Sequence, residues 1–347
     1  MKQNRKELLE IAQRLIPGTN EGSYLEGIET IVFKKNIIHS YNDNISISII
    51  KETNLEGAVN AKDFYKLLQK LQAEEIEIVQ QEKNWKIKSG STEIILNLKE
   101  DLITDYIDSI GIDNVKFMDL PDNFIEGLKL CKIPGNSSYL RGVFVQDNNM
   151  ISSDEIRLSF YTLSKKMQTF WIDDSFIFEL LKINENIIKY GICENWVHFK
   201  TENDMIFSCK RNEDEQYPVD KLLQYKKIFI KQDTDEENEL PEGFDMVLDR
   251  VGVLYTDIEG FQSIDFHIEK DKIILIGENV NGKIKDKIKF KKAFKQEINL
   301  KFKQDFNFMK EAIKKCSLFY IRNDNDIIDI VFYDNNNFVH IVRTISE

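Results

Sequence analysis

The sequence predicts an α+β fold of three repeated domains, each assembled from two helix-plus-strands units. Three observations predict it. One motif occurs twice: IPGTNEGSYLEG begins at Ile16 and IPGNSSYLRG at Ile133, each followed by an apolar run and then Asn. Segments with a helical stripe of apolar residues alternate along the chain with segments of period two, the strand repeat. The length, 347 residues, suits two or three domains.

The elements follow in order. RKELLEIAQRL from Arg5 reads as an amphipathic helix before the first motif, which carries Tyr24, and HSYNDNISISI from His39 alternates after it. AKDFYKLLQKLQ from Ala61 places Phe64, Leu67, Leu68 and Leu71 on one stripe, with Asn60 positioned as N-cap. EEIEIVQQEKNWKIKSGSTEIILNL then gives three short strands. The middle of the chain repeats this plan. PDNFIEGLKLC from Pro121 is the helix, Tyr139 stands in the second motif, and SSDEIRLSFYTL from Ser152 alternates. From Asp173 a second helix and its strands follow, with Asp173 and Asp174 as capping residues and Trp196, like Trp85, placed directly after Asn.

The last third carries the plan again. From Asp235, a helix in FDMVLDRVGVLYTD precedes strands that include a hairpin turn at Asn281-Gly282. From Lys303, KQDFNFMKEAIKKC is a helix and three strands follow, split by Asn/Asp turns. Boundaries fall near Lys116 and in the acidic, turn-rich stretch 231–243, a solvated linker. The domains are therefore 1–116, 117–231 and 232–347.

Composition narrows the function classes. Hydrophobic residues make up 42% and charged residues 31%, as in an ordinary soluble protein. The net charge of −12 argues against a generic nucleic-acid binder, but not against basic residues gathered on one face. Cys131, Cys193, Cys209 and Cys316 form no CxxC and suit free thiols in a reducing cytoplasm. The N-terminus has no signal-peptide h-region, and no apolar run reaches the roughly 20 residues of a membrane helix. A cytoplasmic protein with no membrane partner is expected.

Repetition has a physical consequence. An open sheet edge is a hazard that closure removes. Three similar domains can join edge to edge and curve, and two chains meeting head to tail would close a ring, sheets outside and helices lining the hole. Such helices need basic faces. Lys62, Lys66 and Lys70 are spaced four apart, opposite the leucines. Lys303, Lys310 and Lys314 read as one stripe of the last helix, and Lys2 and Lys6 as one stripe of the first. The middle domain offers only Lys129, Lys132 and Lys182, beside Glu126 and Glu179. A solvated helix face is the plain reading of any one such row; repetition favours a lining that holds duplex DNA through its phosphates without reading sequence.

At these residues the chain resembles the bacterial-type DNA polymerase sliding clamp, the replicative beta subunit, over essentially its whole length. SSYLRGVFV followed by MISSDEIRLSF is similar to the family's second-domain stretch, in which a Leu-x-Gly strand leads to Thr-Asp-Gly-His-Arg-Leu. CKRNEDEQYPVDKLL, FDMVLDRVGVLYTD and INLKFKQDFNFMKEAI resemble the family's Phe-Pro turn and the two helices of its third clamp-type domain. The resemblance implies a homodimeric ring and processivity in DNA replication, with a DNA polymerase and a clamp loader as partners and no cofactor or metal. It also implies a hydrophobic pocket between domains two and three that captures short linear motifs. By position that pocket takes in Leu140, Ser153, Ile156, Arg157, Leu158, Leu223, Phe306, Ile341, Val342 and Arg343. Bottom-up, its apolar members could equally be core.

The chain also departs from the family. Glu155-Ile156 stands where the family has Gly-His, and Arg343-Thr344-Ile345-Ser346-Glu347 where it has Met-Pro-Met-Arg-Leu, so an arginine replaces a pocket methionine. The basic residue expected near Thr19 to Ser23 is absent. These departures imply a divergent clamp, as from a phage or mobile element, with altered pocket specificity.

Two other readings stay open. An enzyme is disfavoured: His39, His198, His267 and His340 sit singly in strand-like segments, and no HExxH, GxSxG, P-loop or GxGxxG occurs. Asp173-Asp174 and Asp324/Asp326 read as caps and turns. A clamp-shaped adaptor or structural interaction protein that encircles nothing is the second alternative, for which the weak middle basic face and the altered tail speak.

Overall fold

The computed structural model describes residues 1–20, 26–134, 138–213, 217–229, 231–233, 235–255, 263–324, 327–334 and 337–345. Tyr24, Ser346, Glu347 and Asp326 lie outside them. The fold is α+β, and the chain forms two compact units, Met1–Pro121 with Phe170–Asn212, and Asp122–Thr169 with Glu213–Glu347. The middle third of the sequence is thus shared between them.

In the first unit the chain runs β1 (Lys2–Asn4), α1 (Arg5–Leu15), β2 (Thr30–Lys34), β3 (Ile37–Tyr41), β4 (Ile45–Ile50), β5 (Glu56–Asn60) and α2 (Ala61–Lys70). There follow β6 (Glu75–Gln80), β7 (Asn84–Ser89), β8 (Thr92–Asn97), α3 (Thr104–Ser109) and β9 (Met118–Asp119). Next come α4 (Phe124–Cys131), β10 (Val143–Ser153) and most of β11 (Arg157–Ile172), which belong to the second unit. The chain returns to the first unit for α5 (Asp174–Leu180), β12 (Ile187–Cys193), β13 (Trp196–Thr201) and β14 (Met205–Lys210). The second unit resumes with α6 (Val219–Ile228), β15 (Asn238–Glu239), α7 (Phe244–Gly252), β16 (Ser263–Glu269), β17 (Lys272–Asn279), β18 (Gly282–Lys289) and β19 (Asn299–Asp305). It ends with α8 (Phe306–Lys315), β20 (Leu318–Asp324), β21 (Ile327–Asp334) and β22 (Phe338–Ile345).

Short polar side chains set where the helices begin. The Asn4 carboxamide oxygen accepts from the Lys6 and Glu7 amides at 2.9 and 3.2 Å, and that of Asn60 from the Asp63 amide at 3.0 Å. Asp173 accepts from the Ser175 amide at 2.9 Å and Asp305 from that of Asn307 at 2.8 Å. Each satisfies a donor the first turn leaves unpaired. Two of these caps correct the expected lysine stripes. Asn4 starts α1 after Lys2, which lies on β1 opposite Glu77 of β6. Asp305 starts α8 after Lys303, which lies on β19 opposite Asp265.

Four antiparallel sheets result among the described residues. The first unit holds an eight-stranded sheet, β5-β2-β3-β4-β14-β13-β12-β9, and a four-stranded one, β1-β6-β7-β8. The second holds a six-stranded sheet, β10-β11-β22-β21-β20-β15, and a four-stranded one, β18-β17-β16-β19. Phe33, Phe64 and Trp85 pack edge to face with ring centres 5.2–6.0 Å apart, so α2 is fixed to its sheets by the aromatic positions of its stripe. Helix α4 packs on its sheet at Gly127, where a Cβ would stand 2.6 Å from Met150 Sδ and 2.7 Å from the Tyr161 ring. Two helices were not expected from the sequence: α3, whose Ile107 joins a core with Tyr41, Ile103 and Trp196, and α6.

Three buried histidines each face a serine on the neighbouring strand. His39 Nδ1 lies 2.9 Å from Ser48 Oγ, His198 Nδ1 2.8 Å from Ser208 Oγ, and His340 Nδ1 2.7 Å from Ser159 Oγ. Burial, with Lys34 nearby, pushes His39 down to about 4, and burial alone does the same to His198. His340 is lowered well below its ordinary value by burial, then by Lys315 and Arg157. An unfolded histidine takes its proton near pH ~6.5. Between about 6.5 and 4 the unfolded chain therefore binds more protons than the folded one, and stability rises with pH across that window. The unfolding free energy from urea titrations is expected to fall as pH drops from about 6.5 towards 4, by roughly 2–3 kcal/mol for each of His39 and His198. A His39→Gln/His198→Gln variant should show a flatter profile than the native chain.

Candidate functional site

The strand-to-strand turn after β10 organises the site. Ser153 ends β10 and Arg157 opens β11. Between them Asp154 Oδ1 accepts from the Arg157 amide at 2.6 Å and the Ile156 amide at 3.3 Å, while Glu155 takes a left-handed φ of 76°. A short acidic side chain folding back on the amides that follow it is what closes such a turn.

The same Asp154 holds the Arg157 side chain, which is buried. Arg157 Nε donates to Asp154 Oδ2 at 2.8 Å, Nη1 to Glu311 Oε2 on α8 at 2.5 Å, and Nη2 to the Pro134 carbonyl at 3.0 Å. Its guanidinium lies 3.8 Å from the centre of the Phe308 ring. Lys315 completes the cluster, pairing with Glu311 and donating to the Lys132 carbonyl at 2.9 Å. Two carboxylates and two cations balance, so neither charge type is left uncompensated in the interior.

Beside this cluster β11 pairs with β22, Leu158 opposite Ile341 and Arg157 opposite Val342, and the Arg343 amide donates to the Ile156 carbonyl at 3.0 Å. A cavity of about 230 Å³ opens there, entirely within the second unit. Tyr139, Leu140, Ser153, Glu155, Ile156, Arg157, Leu158, Ile341 and Arg343 form one side; Pro218, Lys221, Leu222, Tyr225 and Phe229 form the other. Tyr139 and Ile156 are exposed.

Seven of the ten expected pocket residues line this cavity: Leu140, Ser153, Ile156, Arg157, Leu158, Ile341 and Arg343. Three do not. Val342 is fully buried, because side chains alternate along β22 and Ile341 and Arg343 take the cavity side. Leu223 lies on α6, whose cavity face is set by Pro218, Leu222, Tyr225 and Phe229; Leu223 is about 100° around from Leu222. Phe306 is buried at the start of α8 against Gly252 and the Tyr255 ring, and the aromatic near the cluster is Phe308. The helical spacing in YPVDKLLQYKKIF is the signal that could have found the α6 face.

The expected basic residues divide by environment. Lys66 and Lys70 on α2, Lys129 on α4 and Lys314 on α8 are exposed and have no ion pair among the described residues; Lys62 is exposed on α2. Lys6 on α1 lies 3.5 Å from Glu74, and Lys310 on α8 pairs with Asp249. On the strands, Lys2 lies 3.1 Å from Glu75 and Lys303 3.6 Å from Asp265. Among the described residues no group of three His, Cys, Asp or Glu could hold a metal ion, and no helix is long and apolar enough to cross a membrane.

Removing one member of a buried charge cluster leaves the others uncompensated, a loss of about 3–5 kcal/mol. Arg157→Ala is expected to lower stability by that order in chemical denaturation.

No protein-family model and no curated protein matches the sequence. Solved structures do. The DNA polymerase sliding clamp of Bacillus subtilis is 18% identical, with 99% of this chain and 98% of that one covered at a TM-score of 0.79. The DNA polymerase III beta chain of Streptococcus pneumoniae TIGR4 is 15% identical, with 99% and 98% covered at 0.80. The Helicobacter pylori beta clamp, in a structure bound to a DNA ligase peptide, is 15% identical, with both chains fully covered at 0.79. From end to end, the chain has the fold of the bacterial DNA polymerase III beta sliding clamps, at a large distance in sequence.

Proposed function

We propose that this protein is a DNA sliding clamp. Two copies close head to tail into a ring of six clamp-type domains, three per chain with limits near 1–116, 117–231 and 232–347. The ring encircles duplex DNA and tethers a DNA polymerase, itself placed by a clamp loader, in the cytoplasm. The reading rests on the likeness in fold to bacterial clamps over the whole chain.

The residues supply what the reading requires. Exposed lysines on α2, α4 and α8 are the cations to face phosphate, with Lys6 and Lys310 also available. The exposed pairs of Lys2, Lys6 and Lys303 are worth little in water and exchange readily for phosphate. Such contacts are non-specific and weaken steeply with salt, so topology rather than affinity keeps the protein on DNA. Strands β8 and β18 are sheet edges on the first and last thirds of the chain, and edges of this kind are what a second copy can cover. The cavity beside β22 is the place for a short partner peptide, such as one from the polymerase. No step of this function needs catalysis.

Native mass spectrometry should give a dimer near twice 40.8 kDa. Reassembled in the presence of nicked circular plasmid, the protein should stay with the DNA through gel filtration and leave when the plasmid is linearised. Replacing Lys66, Lys70, Lys129 and Lys314 with Glu should weaken binding to short linear duplex DNA at low salt and flatten its salt dependence, with the dimer intact. A monomer at micromolar concentration would leave the non-encircling adaptor as the better reading.

A further inference from the structure

Resting on the reading of the cavity as a peptide site, we propose that it selects segments in which an apolar side chain stands next to an Asp or Glu side chain, and that Arg343, helped by Lys221, reads the carboxylate. The cavity is two-sided in chemistry. Leu140, Leu158, Leu222 and Ile341 give it an apolar wall. Arg343 and Lys221 bring two cations to the same lining.

Arg343 is built to present its charge. On β22 it stands opposite Asp329 of β21, whose carboxylate accepts from Nε at 2.8 Å and from Nη2 at 3.0 Å. The Asp329 side chain is 11% exposed and that of Arg343 39%. One edge of the guanidinium is therefore fixed in the interior, while Nη1 takes no part in that pair. The guanidinium lies 5.8 Å from the centre of the Tyr225 ring, whose phenol also interacts with it, and Lys221 sits one helical turn before Tyr225 on α6. Lys221 is exposed and has no ion pair among the described residues. Glu155 lies in the same lining but is exposed at the turn, next to Ile156. A planar, oriented donor with a second cation beside it fits a carboxylate, and a fixed guanidinium loses little freedom when it binds one.

The test uses the full chain. Random eight-residue peptides, displayed with an amidated or otherwise blocked C-terminus, are selected on the immobilised protein, and binders that also hold to Leu158→Ala are discarded. The expected winners pair an apolar residue with Asp or Glu. Their Asn or Gln twins should bind 5- to 10-fold more weakly in fluorescence polarisation, a gap that narrows as salt rises. Arg343→Met leaves Asp329 unpaired, so Arg343→Met/Asp329→Asn is the second variant; it and Lys221→Gln should reduce the gap to within twofold. Winners without an acidic residue, or a gap that survives both variants, would overturn the proposal and leave the peptide site standing. A neutral peptide with a free C-terminal carboxylate that binds as tightly would overturn the assignment to a side chain. If no binder depends on Leu158, the peptide-site reading fails first and this proposal with it.

Discussion

Pairing of strands that are far apart in sequence is the constraint on which this structure depends. A helix-plus-strands unit standing alone exposes two sheet edges, each a row of unpaired amides and carbonyls. Here an edge of one unit is consumed by an edge of another. β4 pairs with β14 from Ile45 opposite Cys209 to Ile49 opposite Met205, and β11 pairs with β22 from Arg157 opposite Val342 to Tyr161 opposite Phe338. The eight- and six-stranded sheets exist only because of these two seams. The cavity is a consequence of the second one, since Ile341 and Arg343 reach it only when β22 lies against β11.

The seams carry buried polar residues among their apolar ones. Ser46, Ser48 and Ser208 are buried along the first, and Ser159 and His340 along the second. An apolar strand slipped along its neighbour by two residues keeps its core face, so hydrophobic pattern alone fixes register weakly at that step. A buried histidine opposite a buried serine does not tolerate the slip, because both lose their partner in a place water cannot reach. The His39–Ser48 and His198–Ser208 pairs flank the first seam, and Ser159–His340 spans the second. The cost of burying imidazole is thus set against a unique alignment of the strands.

Most of the fold was legible because repetition and periodicity are local. The helices at Arg5 and Ala61 start where the sequence places them, and Trp85 and Trp196 open strands of like position. What could not be read was decided by distant parts. Lys303 continues a helical stripe on paper, yet the chain before Asp305 is committed to β19 by its partner β16. Leu223 and Leu222 are neighbours of the same type, and only the packing of α6 selects Leu222 for the cavity. Val342 and Phe306 are apolar residues that core packing claimed. The partition into two compact units lies further still from the sequence, since it cuts through β11.

Arg157 and Arg343 show how little residue type says without its surroundings. Both are on the cavity lining and both are held by an aspartate. Arg157 meets a second carboxylate, Glu311, and a carbonyl, and its side chain is 3% exposed; its charge is spent on joining the turn to α8 and to the chain leaving α4. Arg343 meets one carboxylate and keeps part of its guanidinium at the surface. A buried ion with all three of its nitrogens engaged is a structural bolt, and its removal is felt as lost stability. An ion with one edge fixed and another open is oriented without being saturated, which is the condition for recognising a ligand. The distinction lies in the number of carboxylates around each guanidinium, and β22 sets it by placing Arg343 beside Asp329, with the Tyr225 phenol as its other neighbour.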